Sequence, residues 1–103
     1  MSGLDSSGEY SDVLDDSWLQ GIVAVGATQV EVKVGASKSA TREMIIIHNS
    51  SNNTIYYGPT GITTSTGIPL FKNQWVEIMA GNHQSVFMIA ASAGNNVIIA
   101  EVG

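Results

Sequence analysis

The segment Arg42-Glu43-Met44-Ile45-Ile46-Ile47-His48-Asn49-Ser50-Ser51-Asn52-Asn53-Thr54-Ile55-Tyr56-Tyr57-Gly58 reads as strand, turn, strand. Ile45-Ile46-Ile47, at the centre of residues 42–49, is a β-branched apolar run of the kind found in a strand covered on both faces. Asn49 to Asn53 is the clearest turn in the chain, because Asn and Ser side chains bond local backbone and Asn tolerates a positive φ. Residues 54–57 resume as a short strand. The adjacent Tyr56 and Tyr57 then point to opposite faces, one inward and one outward.

The same alternation extends in both directions. Toward the N-terminus, residues 28–34 place Val30, Val32 and Val34 on one face and Glu31 and Lys33 on the other, after a short apolar run over 22–25 that Gly26 ends. Toward the C-terminus, Gly58-Pro59-Thr60-Gly61 fits a type I turn. Residues 68–71 contain Pro69 and so form an edge strand or an extended loop. Lys72-Asn73 marks a turn into 74–80, where Trp75, Glu77 and Met79 alternate with Val76 and Ile78. Residues 85–91 and 96–102 read as a C-terminal hairpin through Gly94-Asn95. The pattern predicts an all-β domain over residues 21–103, a compact antiparallel β-sandwich or small barrel of seven or eight short strands. Its expected core is Val30, Val32, Val34, Ile45, Ile47, Ile55, Tyr57, Leu70, Val76, Ile78, Val86, Ile89, Val97 and Ile99.

Residues 1–20 differ in kind. They hold Asp5, Glu9, Asp12, Asp15 and Asp16 with no Lys or Arg, which gives −5. In residues 21–103, Glu31, Glu43, Glu77 and Glu101 are cancelled by Lys33, Lys38, Arg42 and Lys72, so the whole imbalance lies in an acidic N-terminal arm. Tyr10, Val13, Leu14 and Trp18 are spaced as one face of a short helix, so the arm is expected to be extended or short-helical. The stripe either covers the domain's own core or docks into a neighbouring subunit. A body so weakly charged is poorly protected against association.

Composition narrows the function. The chain has 103 residues, 13% of them charged, and no cysteine, which excludes a disulfide-stapled mini-domain, a thiolate metal site and a cysteine nucleophile. A net charge of −5 argues against a nucleic-acid partner. No apolar run is long enough to span a membrane, and Met1-Ser2-Gly3-Leu4-Asp5 has no secretory-signal character, so neither a membrane partner nor secretion is expected.

The catalytic inventory is thin. His48 and His83 are the two histidines, and no carboxylate lies near either in sequence. There is no Gly-x-Ser-x-Gly elbow, no phosphate loop and no EF-hand register around Asp12, Asp15 and Asp16. The expectation is a protein that is not an enzyme and takes no cofactor and no metal. Tyr56 and Trp75 are the candidate contact residues of the body, since exposed Tyr and Trp mark protein–protein contacts. The alternative from another class is a glycan-binding module using Tyr56, Tyr57 or Trp75 beside Asn49, Asn52, Asn53 and Asn73.

Two stretches carry a family resemblance. Ile47-His48-Asn49-Ser50-Ser51-Asn52-Asn53-Thr54-Ile55-Tyr56-Tyr57-Gly58 with Gly61-Ile62-Thr63-Thr64-Ser65-Thr66-Gly67-Ile68-Pro69-Leu70, and Val86-Phe87-Met88-Ile89-Ala90-Ala91-Ser92 with Asn95-Asn96-Val97-Ile98-Ile99-Ala100-Glu101, resemble small virion proteins of tailed bacteriophages. The likeness covers residues 21–103 and not the acidic arm. It implies a virion structural protein made in the host cytoplasm, in first place a capsid decoration (cement) protein, alternatively a neck, tail or fibre-adaptor component. The implied partners are the major capsid protein or other virion proteins and further copies of the chain, with a trimer expected. It brings no catalytic residue.

Overall fold

A computed structural model of the chain describes residues 4–5, 8–9 and 18–103. Its strands are β1 (Leu4–Asp5), β2 (Gly8–Glu9), β3 (Trp18–Val25), β4 (Val30–Glu31), β5 (Met44–His48), β6 (Ile55–Gly58), β7 (Ile68–Leu70), β8 (Trp75–Met79), β9 (Phe87–Ala90) and β10 (Asn95–Val102). β1 and β2 pair with each other. The other eight form two four-stranded antiparallel sheets, ordered β3-β10-β5-β8 and β4-β9-β6-β7. Successive strands pass back and forth between the sheets, except for the β6–β7 hairpin, and this order is that of a jelly roll. The all-β sandwich expected from the alternation is therefore the fold.

The core lies between the two inner faces. Ile45 and Ile47 of β5, Val97 and Ile99 of β10, and Val25 of β3 meet Ile55, Leu70, Met88 and Ala90 of the opposite sheet, and all are buried. Burying a large aliphatic side chain of this kind contributes about 1.5–3 kcal/mol. Val32 and Val86 close one end, where the Val32 amide donates to the Val86 carbonyl at 2.8 Å. Pro69 does sit in an edge strand, and Tyr57 packs against the core while Tyr56 faces out, as the alternation requires.

Several local expectations are corrected. The first long strand begins at Trp18, so Trp18 to Gln20 pair with β10 and belong to the sheet rather than to the arm. Tyr10, Val13 and Leu14 lie outside the described residues. The ladder expected over 28–34 is confined to Val30–Glu31, beyond which the chain departs to build a loop. Met88 and Ala90 are buried where Ile89 was expected, because the small Ala90 and the flexible Met88 fit between the sheets and Ile89 turns outward beside Tyr56. β9 and β10 are not a hairpin: the turn at Gly94, whose φ is 94°, carries the chain from one sheet to the other. Ile46 has only its own sheet's outer surface around it and is half-exposed, so β5 is covered on one face by the described residues.

Buried polar groups pin both ends of the sandwich. At one end the Asn49 amide nitrogen donates to the carbonyls of Asn53 and Leu70, both at 2.8 Å, and its oxygen accepts from the Ser51 amide and hydroxyl. Asn95 donates to the carbonyls of Val25 and Ser92 and accepts from the Asn53 side chain. With all four of its hydrogen bonds made, Asn49 holds the turn between β5 and β6 against β7. Asn49→Ala removes all four of these bonds, leaving the Asn53 carbonyl only its bond from the Ser51 hydroxyl, and is expected to cost about 3 kcal/mol in a urea unfolding curve.

At the other end Arg42 and Glu101 form an ion pair at 3.0 Å with both side chains fully buried. The guanidinium also donates to the carbonyls of Val32, Ala80, Gly81 and Gln84, so each of its five N–H groups has an acceptor. The Glu101 carboxylate accepts further from the Val34 and Ser39 amides. One arginine thus ties β10 to the loops after β4 and β8.

Candidate docking surface

The outer face of the β3-β10-β5-β8 sheet follows from the strand registers. Residues directly paired share a face, so one row runs Trp18, Val102, Met44, Met79. The next runs Gln20, Ala100, Ile46, Glu77, and the third Ile22, Ile98, His48, Trp75. Nine of these twelve side chains are apolar; Gln20, His48 and Glu77 are the others. Solvent-facing sheet surfaces ordinarily alternate to polar residues; here the alternation is apolar on both sides.

The exposure of this face is large. Met79 is 75% exposed, Ile22 70%, Trp75 69% and Trp18 47%. Between Trp18 on one edge strand and Trp75 on the other runs a shallow groove of about 430 Å³, floored by Ile46, Ile98 and Ala100 and bordered by Gln20, His48 and Asn73. The Trp18 indole nitrogen donates to the Gln20 side-chain oxygen at 3.2 Å. Asn73, with φ of 65°, makes the tight turn that presents Trp75 at the start of β8. The three rows carry one charged group, Glu77, and no cation to pair with it. Such a face gives an approaching molecule desolvation rather than ion pairing.

The structure brings Trp18 and Trp75 onto one surface and separates Trp75 from Tyr56. Tyr56 stands on the outer face of the other sheet, between Pro69 and Ile89, half-buried against Gly67. His48 sits beside Trp75 on the apolar face, and His83 lies in a loop. Among the described residues no three His, Asp or Glu side chains gather as a metal site would require. No described helix is long and apolar enough to cross a membrane. Ile22, Ile46, Ile98 and Met79 were not singled out from the sequence, although uninterrupted runs such as Ile45-Ile46-Ile47 and Val97-Ile98-Ile99 carry the signal: a strand with one wet face would break them.

A charged niche lies elsewhere, at Glu31. Lys38 approaches its carboxylate at 3.3 Å and Lys33 at 3.5 Å. Burial acts to raise the Glu31 pKa, but the Ser85 hydroxyl and the two ammonium groups together outweigh it and hold the carboxyl below its ordinary value. A carboxylate depressed on folding stabilises the fold above its unfolded pKa of about 4.3 and loses that contribution as pH falls through the folded value. Glu31→Gln is therefore expected to lower stability at neutral pH by less than about 1 kcal/mol, and the difference from the unaltered chain closes below about pH 4 in pH-dependent unfolding.

No family model and no curated protein matches the chain. Among solved structures it is similar to a chain from the work "Bacillus endospore appendages form a novel family of disulfide-linked pili", at 13% identity over 84% of this chain and 88% of that one, with a TM-score of 0.38. A likeness of that size carries no argument about what this chain does.

Proposed function

We propose that this protein is a non-enzymatic structural component that beds the outer face of the β3-β10-β5-β8 sheet on other protein subunits, and that its setting is the bacteriophage virion, as a capsid decoration protein. The observation that supports the docking role is the apolar face itself, with Trp18, Ile22, Trp75 and Met79 all substantially exposed. Contiguous apolar patches larger than a few hundred Å² are rare on monomers and mark interaction sites. Four strands about 4.8 Å apart, taken over five or six residues of about 3.3 Å each, give the whole face, its three polar side chains included, a footprint of roughly 350 Å², the size of the largest patch on a typical monomer, which is often functional. The virion setting rests on the sequence likeness of residues 47–70 and 86–101. The acidic leader supplies a second point of attachment, and many weak attachments on a lattice add by avidity.

Mass spectrometry of purified particles tests the setting. A copy number matching the capsid lattice supports decoration; one matching a connector ring favours the neck, tail or fibre-adaptor alternative; absence from particles overturns the virion reading. The glycan-binding alternative loses much of its basis in the turn amides. Asn49 is fully buried with its amide committed to backbone, and the Asn53 side chain bonds Asn95.

A further inference from the structure

The two sheets have four edge strands, β3, β8, β4 and β7, and three of them are defended against pairing with another chain. β7 is three residues long and contains Pro69. β4 has two residues, and its Glu31 is engaged with Lys33 and Lys38. β8 has five residues with Glu77 at its centre. β3 is different: its eight residues, Trp18-Leu19-Gln20-Gly21-Ile22-Val23-Ala24-Val25, include no charge and no proline. Its outer edge has no strand partner among the described residues. Charge, proline and shortness are the devices that keep sheet edges from adding strands, and β3 uses none of them.

We infer that this edge is an interface, and that its partner is β3 of a second copy of this chain, paired antiparallel across a two-fold axis. An antiparallel strand is complementary to itself under such an axis, so the contact closes at two copies. The pairing uses the one long undefended edge and leaves only defended ones exposed, which stops further growth. No charge on β3 opposes its own image, and residues 21–103 sum to zero, so two bodies approach without net repulsion. The Trp18 ends, where the acidic leader enters, fall at opposite ends of the strand pair.

The register is also constrained. Directly opposed residues share a face, so outward-facing Gln20 and Ile22 must meet outward-facing residues. Two registers meet this condition with the longest overlap. One spans residues 18–24 with Gly21 on the axis and Gln20 opposite Ile22, and the other spans residues 19–25 with Ile22 opposite itself. Either joins the two sheets into one of eight strands and makes the apolar outer face continuous across both copies. The inference goes beyond the docking reading and does not depend on it.

The test uses the full chain, which has no cysteine of its own. Single-cysteine variants Gln20→Cys, Ile22→Cys and Met79→Cys are oxidised alone and in mixture. Disulfides form between Cα atoms about 4.4–6.8 Å apart, the spacing of opposed strand residues. The expected result is a disulfide-linked pair from Ile22→Cys alone or from the mixture of Gln20→Cys with Ile22→Cys, and none from Met79→Cys on the far edge. Sedimentation of the unaltered chain is expected to show a two-chain species. Ile22→Lys weakens its association about tenfold or more, while Met79→Lys leaves it unchanged. A single-chain species, a three-chain species, or a two-chain species insensitive to Ile22→Lys and unlinked through positions 20 and 22 overturns the inference. Loss of particle binding in Met79→Lys with the two-chain species intact separates the face from the edge.

Discussion

Replacing the buried Arg42 with methionine is expected to lower the unfolding free energy by about 3–5 kcal/mol. The reason is the geometry at the β10 end. Arg42 is one of only four Lys and Arg residues in the chain, yet its side chain is fully buried and all five donors are used. Removing it leaves the Glu101 carboxylate with two backbone amides and no cation, and it leaves the carbonyls of Val32, Ala80, Gly81 and Gln84 without that donor. For a domain of this size a loss of 3–5 kcal/mol lowers the melting temperature by upwards of about 12 °C. The double variant Arg42→Met/Glu101→Leu removes the unpaired charge but leaves the four carbonyls without a donor and strips the Val34 and Ser39 amides of their acceptor, so it is expected to recover only part of the loss. Urea unfolding of the two single variants and the double variant gives the coupling directly. A loss under about 1 kcal/mol in Arg42→Met would show that the pin does not hold the loops.

Trp75→Ala is expected to weaken binding to purified particles about thirtyfold or more, with no comparable loss of stability. Buried aromatic anchors at interface centres are worth about 2 kcal/mol or more each, and about 1.4 kcal/mol is tenfold in affinity. The separation of binding from stability follows from where the ring sits: at 69% exposure Trp75 contributes little to the core, so its truncation leaves the sandwich intact. Trp18→Ala is expected to act in the same direction, since Trp18 closes the other side of the same groove. Tyr56→Ala, on the opposite sheet, is expected to leave binding within about twofold, and serves as the control. Equal losses for Trp75→Ala and Tyr56→Ala would place the interface on some other surface.

Much of the fold was legible because it is written locally. The Asn49–Asn53 turn works through short-range side-chain bonds, and the alternation at Tyr56 and Tyr57 fixes which ring faces in. Pro69 announces an edge strand by the donor it lacks. What was not legible depends on distant partners. Arg42 and Glu101 are 59 positions apart and read from sequence as two unremarkable charges that cancel. Trp18 was misplaced because its spacing from Tyr10 and Leu14 continues a helical stripe, whereas the sheet decides through β10, nearly the whole chain away.

The candidate site illustrates the same division. That β5, β8 and residues 97–100 of β10 are apolar at nearly every position is visible in the sequence, and it blurs the period-two signal that would say which face is inside. The core claims Ile45, Ile47, Val97 and Ile99 because those face the second sheet. Ile46 and Ile98 are then left on the outside by the register, beside Ile22 and Trp75. Sequence gives the surplus of apolar residues; only the pairing of strands shows that the surplus collects on one surface.

The most direct measurement is fluorine NMR of the full chain with both of its tryptophans, Trp18 and Trp75, replaced by 5-fluorotryptophan. In the free chain Trp75 should be readily reached by a soluble paramagnetic quencher and Trp18 less so, in keeping with their exposures of 69% and 47%. Once the chain is bound to purified particles, both resonances should become protected from it. If they stay as accessible on the particle as in solution, the β3-β10-β5-β8 face is not where this protein holds on to its neighbours.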